Sequence, residues 1–455
     1  MKQIKTFSLA FTYVGCFLGA GFISGQELWQ FFGAFGNWGY VGFVLAALLF
    51  TVIGILFVRL TQMTKCAEMD KLLVPWDVKW LRAATGVIGA LFLFFVVVSM
   101  SAGVGAMLTQ LFRVPTWLGS AVFMLAVFLV ALLGVSGMVN AFSAMIPILV
   151  LATVGFAVGA WCTFGTEGIL QLQYTNTNPL MPNWFIATLT FVAYNILGGI
   201  GIMSPVGQYV REKKHVYVGI ALSGVMLLAV AGSILTSLGT YPEAVQAELP
   251  MVALASRLNG TLGTIYGIML LVAMFCNALA SLVGMSAYVE QKSAFVRTHK
   301  NPVLLAVSVL AWAASLLGFA EIIGTVYPIF GYISIAFLVF LVIHFFRAKR
   351  RSSRSRHNIR YSKSVYQAPS AAGRGRFSAE ARLARRAFVH IPGRAFIRWG
   401  QDQQRRASSW RSERRSDAMS RRLHCCPAAG SRLPGVCRST ARPRRRSSAC
   451  GQDDR

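Results

Sequence analysis

The feature that most constrains this chain is the length of its apolar runs. Trp38 to Val58 and Ala83 to Val98 are two of several such blocks, each near the roughly 20 residues that cross a bilayer as a helix. Hydrocarbon offers backbone N–H and C=O groups no water, so such blocks fold as helices that satisfy their own backbone. Composition agrees, since hydrophobic residues make up 55% of the 455 and charged residues only 13%. That charged share is about half the value usual for a soluble domain. The first block begins at Thr6 and stays largely apolar to Phe32. No small-residue cleavage site followed by a soluble domain appears there, so the block reads as a span and not as a cleaved signal peptide.

The chain therefore reads as an all-α membrane protein of about ten transmembrane helices. They are predicted over roughly 6–32, 38–63, 80–112, 117–139, 142–164, 184–210, 215–241, 260–289, 302–318 and 322–346. With the N-terminus inside, one set of connections holds Lys2, Lys5, Arg59, Lys65, Lys71, Lys79, Arg82, Arg211, Lys213, Lys214, Lys292, Arg297 and Lys300. The other holds only Arg113 and Arg257. That asymmetry follows the positive-inside rule and predicts that both termini are cytoplasmic. The starts of helices 6 to 10 each fall roughly 180 residues after those of helices 1 to 5. Five is odd, so the second set enters from the opposite side. This is the pattern of a 5+5 inverted repeat, over about 6–164 and 184–346.

Residues 1–346 carry 15 Lys+Arg against 10 Asp+Glu, whereas residues 347–455 carry 29 against 6. The formal net charge of +28 thus describes the tail. The tail holds 27 Arg and 2 Lys, and the part before it 6 Arg and 9 Lys. A segment so charged and poor in apolar periodicity is expected to be disordered. The abrupt switch in residue usage reads as an out-of-frame extension. The tail has no recognisable nucleic-acid-binding fold, so no nucleic-acid partner is expected. Cysteine spacing suggests no metal site. All six His lie in loops, at a helix end or in the tail, and no acidic or metal-ligand motif falls in a span. An enzyme is therefore not expected.

Helix 1 carries the most informative run, Gly15-Cys16-Phe17-Leu18-Gly19-Ala20-Gly21-Phe22-Ile23-Ser24-Gly25-Gln26-Glu27. Ser24-Gly25-Gln26-Glu27 has the form of a capping box, which marks a helix start, and a start in mid-membrane implies a break before it. Helix 6 repeats the theme in Tyr194-Asn195-Ile196-Leu197-Gly198-Gly199-Ile200-Gly201-Ile202-Met203-Ser204-Pro205. Serine suits an N-cap and proline the first helical position. Helices 1 and 6 are thus expected to be discontinuous, unwound near Gly19–Ile23 and Gly198–Met203. Paired breaks of this kind form a midplane site, with N–H groups for an anion and carbonyls for a cation. Close packing of small residues is the alternative reading of the same glycines.

These residues resemble a known family. The run GAGFISGQELWQFF, the paired breaks and the five-plus-five plan are similar to the YkvI family of bacterial membrane proteins. That family in turn resembles the LeuT-type fold of the amino acid–polyamine–organocation superfamily. The resemblance covers about residues 5–346. It implies an alternating-access symporter in which helices 1, 2, 6 and 7 rock against a scaffold. It also implies a substrate carboxylate held by backbone N–H groups, at the positions matched here by Gly19, Ala20 and Gly21. In relatives with a sodium site, carbonyls before the break and hydroxyls on helix 8 hold the ion. Gly15, Leu18 and Ser281 match those positions. The adjacent hydroxyl pair is absent, since the run is Asn277-Ala278-Leu279-Ala280-Ser281. Na+ and H+ both stand as candidate coupling ions.

Glu27 is the carboxylate that falls clearly within a predicted span. It is either the capping-box partner of Ser24 or a functional acid for proton coupling or for pairing with a substrate amine. Ser24, Tyr194, Asn195, Gly198, Gly199, Gly201 and Ser204 complete the expected substrate site, with Asn277 beside the ion candidates. Tyr194, Asn195, Asn277 and Ser281 read equally as interhelical hydrogen-bonding groups. The expected function is ion-coupled transport of a small solute, an amino acid or related compound. The alternative is a sensor or scaffold that keeps the fold without moving solute. Residues Pro250 to Leu258 are expected to form a short surface helix over the outer mouth.

Overall fold

A computed structural model describes residues 6–64, 69–74, 76, 78–133, 138–210 and 212–366. Within its helices, the side chains of 69–70, 133, 138–145, 201–202, 204–208 and 352–366 fall outside that description. Span 1 is assembled from α1 (Thr6–Gly15), α2 (Ala20–Ile23), α3 (Gln26–Leu28) and a π-helical turn at Trp29–Gly33. Then follow α4 (Trp38–Thr64), the short α5 (Met69–Leu73), α6 (Lys79–Phe112), α7 (Thr116–Leu133) and α8 (Met138–Phe164). The second half opens with α9 (Trp184–Gln208) and α10 (Lys213–Thr240), then the short α11 (Pro250–Leu258), α12 (Gly260–Lys292), the short α13 (Ala294–Thr298) and α14 (Lys300–Ser315). It closes with α15 (Phe319–Glu321), a second π-helical turn at Ile322–Val326 and α16 (Tyr327–Tyr366).

Six helical stretches among the described residues are long and apolar enough to cross a membrane. They are α4, α6, the 146–164 part of α8, α10, α12 and Phe319–Arg351. The shorter apolar helices α7, α9 and α14, with the interrupted first span, bring the bundle to ten crossings.

The packing carries the internal repeat. Pairing α1 with α9, α4 with α10, α6 with α12, α7 with α14 and α8 with α16 maps the contacts of one half onto the other. α1 packs on α10 as α9 packs on α4, and α1 on α8 as α9 on α16. α8 meets α10 as α16 meets α4, and α6 meets α14 as α12 meets α7. The pairs α4–α10, α6–α12 and α7–α14 also pack together, as elements facing each other across a two-fold axis must. Inversion follows from the odd number of crossings in each half.

Hydrogen bonds between connections sort into two ends and fix the alternation. At one end Thr6 meets His215 at 2.7 Å, Gln62 donates to the Val210 carbonyl, and His344 meets the Leu72 carbonyl. Lys300 and Glu290 form an ion pair there at 3.1 Å. At the other end Asn37 donates to the Leu170 carbonyl, Gln110 to Leu249 and Trp312 to Trp117. Each pairing joins termini that ten alternating crossings put on one side. The first end is the one rich in Lys and Arg in the sequence.

Several expectations need correction. α9 runs unbroken from Trp184 to Gln208, so helix 6 is not unwound at Gly198–Met203. Glycine permits a break without forcing one. Its cost of about 1 kcal/mol against alanine is smaller than the several kcal/mol of an unsatisfied backbone group in hydrocarbon. A membrane helix also tolerates a proline such as Pro205. In span 1 the interruptions lie at 16–19 and 24–25, and the segment expected to unwind contains the helical turn α2. α16 continues to Tyr366, so residues 347–366, expected in the tail, are helical, and 367–455 lie outside the described residues. Helix α11 has the expected bounds, but Met251, Val252, Leu254 and Ala255 are buried, because it wedges against α8 and α12 instead of lying on the surface.

Candidate functional site

Span 1 leaves the helix after Gly15, and Gly19 is extended (φ −82°, ψ −177°). Among the described residues, the carbonyls of Gly15, Cys16 and Leu18 accept no hydrogen bond. The N–H groups of Ala20, Gly21 and Phe22 donate none. Such backbone persists at membrane depth only against protein or a polar cavity. The second interruption is satisfied by the other half of the chain. Tyr266 Oη on α12 donates to the Ile23 carbonyl at 2.8 Å, and the Met251 amide on α11 donates to Ser24 O at 2.8 Å. Gly25 takes a left-handed conformation (φ +82°), which L side chains rarely adopt. A Cβ there would also stand 3.1–3.2 Å from Leu238, Met251 and Ile234.

The turn at Gly25 redirects Glu27. The capping box does not form, because Gly25 and not Ser24 caps α3 and no side-chain cap bond is present. Ser24 Oγ instead donates to the Gly21 carbonyl at 3.1 Å and accepts from the Gln26 amide at 3.4 Å. Glu27 reaches across to α9, where its Oε1 accepts from Tyr194 Oη and from Asn195 Nδ2, the latter at 3.3 Å. Its Oε2 has no hydrogen-bond partner among the described residues. It lies so close to Gly21 that a Cβ there would be 2.5 Å away. Glu27 is only 4% exposed, and no ion pair among the described residues includes it. An ionised Glu27 is thus met by two neutral donors and no cation, and burial of such a charge is costly.

Glu27, Gly19, Gly21, Tyr194, Asn195 and Gly198 line one cavity of about 40 Å³, room for about three water-sized groups. Asn277 and Ser281 of α12 join them, and neither side chain has a partner among the described residues. Asn277 Nδ2 lies 2.8 Å from the place of a Gly19 Cβ. Phe92 and Met100 of α6 and Tyr327 of α16 close the walls, with Tyr194 and Tyr327 ring centroids 4.9 Å apart. Sequence reasoning missed these last three. They sit in ordinary apolar runs, with no local signal to separate them from core residues.

Other expected site residues fall elsewhere. Ala20 and Ser24 are buried and do not line the cavity. Gly199 packs against the first interruption of span 1, where its Cβ would lie 3.0 Å from Phe17, while a Cβ on Gly198, which does line the cavity, would meet Phe92 at 2.8 Å. Close approach of this kind is what the packing reading of the helix 6 glycines expects. Gly15 lies at the edge of the first interruption and Leu18 within it, both outside the lining. Gly201 and Ser204 are within α9, and their side chains lie outside the described residues. Among the described residues, no group of three His, Cys, Asp or Glu could hold a metal.

No family model matches the chain. It is 24% identical over 359 residues to the membrane protein YkvI of Bacillus subtilis, covering 78% of this chain and all of that one. It is 26% identical over 344 residues to YyaD of the same organism, covering 73% of this chain and 94% of that one. The chain is a homologue of YkvI and YyaD. The fold is of the LeuT type. The structure of MhsT in complex with L-phenylalanine superposes with a TM-score of 0.55 at 16% identity, covering 74% of this chain and 89% of MhsT. The inward-facing conformation of Mhp1 gives 0.54 at 14% identity, covering 77% and 78%. Identities this low speak for the fold. The chain differs from the plan expected of it in the unbroken α9.

Proposed function

We propose that this protein is a secondary transporter that moves a small solute across the bacterial plasma membrane by alternating access. The reading is supported above all by one observation: a cavity at the interruption of span 1 holds Glu27, with no Lys, Arg or His among the described residues that line it. A structural scaffold has no use for a buried carboxylate whose second oxygen is free, whereas a carrier does, because a charge neutralised by cargo or coupling ion ties loading to closure. Glu27, Tyr194, Asn195, Gly19, Gly21 and Gly198 form the solute site. Na+ or H+ is the coupling ion. The unpaired Gly15 and Leu18 carbonyls, with Asn277 and Ser281, are candidates for a Na+ position. Both termini lie in the cytoplasm, on the Lys/Arg-rich side. The ten-span bundle carries the activity, and the Arg-rich chain beyond α16 has no part in it.

The cavity as it stands is small. Binding and release then require α1 and α9 to move against α6 and α12. The reading is tested by reconstituting the protein in proteoliposomes preloaded with solutes selected from amino acids, amines and cations by thermal shift. Solute-dependent counterflow is the expected result. Binding without counterflow in vesicles of verified orientation would show a sensor that keeps the fold.

A further inference from the structure

We infer that the solute recognised at Glu27 is a small organic monocation of the primary-ammonium type, carrying no carboxylate of its own. This deepens the transport reading and rests on it for the use of the site.

The sign of the site comes first. Of the described residues that line the cavity, Glu27 alone has a side chain that is acidic, and no Lys, Arg or His is among them. Its Oε1 is occupied by Tyr194 and Asn195, while Oε2 is left without a donor. An ammonium group brings N–H donors and no acceptor. It would meet Oε2 directly, and the unpartnered side-chain oxygens of Asn277 and Ser281 offer further acceptors in the same cavity. Around them stand the rings of Phe92, Tyr194 and Tyr327, with centroids 4.9–6.1 Å from one another. Aromatic faces add attraction for a cation and none for an anion.

The second step concerns what the site refuses. The resemblance to LeuT-type relatives implied a solute carboxylate at Gly19–Gly21. The protein's own carboxylate lies against that stretch, with Glu27 Oε2 2.5 Å from a Cβ position on Gly21. A second carboxylate there would face a like charge at contact distance, which disfavours ionisation of both. A zwitterionic amino acid therefore loses at one end what it gains at the other.

Size and charge number narrow the class. About 40 Å³ suits a group of a few heavy atoms. One carboxylate balances one positive charge, and no cluster of metal-ligating side chains is present among the described residues. A divalent metal ion usually takes several carboxylate, imidazole or thiolate ligands.

The test is a thermal-shift panel on the purified full chain at constant ionic strength, using methylammonium, ethylammonium, glycine, acetate, Na+ and Mn2+. Methylammonium and ethylammonium should raise the melting midpoint saturably, and glycine and acetate should not. Glu27→Gln, which keeps the shape and removes the charge, should weaken the methylammonium response at least about tenfold, the size expected on losing a hydrogen bond to a charged group. The inference is overturned if glycine or acetate matches the amines, or if no amine responds. It is overturned equally if Mn2+ gives a shift that methylammonium cannot reproduce, if a Na+ shift is lost in Glu27→Gln while the methylammonium shift stays, or if Glu27→Gln keeps full affinity. The panel on the unaltered protein decides the recognised charge even if Glu27→Gln does not fold. Radiolabelled methylammonium counterflow separates the two readings. Amine binding without counterflow removes transport and leaves the recognition, whereas counterflow of an amino acid without any amine response does the reverse.

Discussion

Span 1 and α9 occupy equivalent places in the two halves and carry the same kind of glycine-rich run, yet only span 1 is interrupted. The difference lies in what surrounds the backbone. In span 1, the carbonyls freed at Ile23 and Ser24 find donors in Tyr266 and Met251. The free groups around Gly15 to Phe22 lie at or beside the cavity that holds Glu27, Asn195, Asn277 and Ser281. In α9, Gly198 and Gly199 lie against Phe92 and Phe17, whose apolar rings do not replace a broken helical bond. Glycine lowers the cost of leaving a helix equally in both. Partners from distant helices decide where the chain does so.

That comparison can be broken by substitution, and the largest effect is expected at Gly25. In Gly25→Ala the left-handed conformation costs about 1–2 kcal/mol, and crowding against Leu238, Met251 and Ile234 adds about 1–3 kcal/mol. Thermal unfolding of the variant in detergent should show a loss of about 2–5 kcal/mol. A near-neutral result would mean that the turn at Gly25 is not required. Tyr266→Phe should be milder. It leaves the buried Ile23 carbonyl without its donor, a loss of about 1–3 kcal/mol, and backbone exchange at Ile23–Gly25 should quicken. Gly199→Ala should be the smallest. Alanine recovers up to about 1 kcal/mol of helix propensity and meets the Phe17 ring at 3.0 Å, a contact a side chain can relieve by a small shift. A net change within about 1 kcal/mol is expected. A loss as large as that of Gly25→Ala would mean that α9 needs its glycines for an irregular backbone.

The sequence showed the ten crossings, because hydrophobic length and Lys/Arg asymmetry act locally and the bilayer reads both. The repeat was legible in spacing alone. Glycines 15 to 25 announced an interruption, but its limits were misplaced. Ser24 and Glu27 fit a capping-box pattern that is a matter of four residues, whereas the actual partners of Glu27 are 167 and 168 residues away. Tyr194 and Asn195 were noticed as polar residues in a span, and nothing local said that they would meet Glu27. Phe92, Met100 and Tyr327 were silent because a cavity wall and a packed core use the same side chains. In α9 the pattern misled, since a glycine serving close packing and a glycine serving a break look alike in one dimension.

Hydrogen–deuterium exchange of the protein in nanodiscs tests the central claim, that span 1 alone opens its backbone to the cavity while α9 stays whole. The amides of Ala20, Gly21 and Phe22, which have no partner, should exchange orders of magnitude faster than those of Ile196 to Ile200 in α9. Saturating methylammonium should slow the first set and leave the second unchanged. Equal exchange in the two segments, or fast exchange confined to α9, would contradict the account.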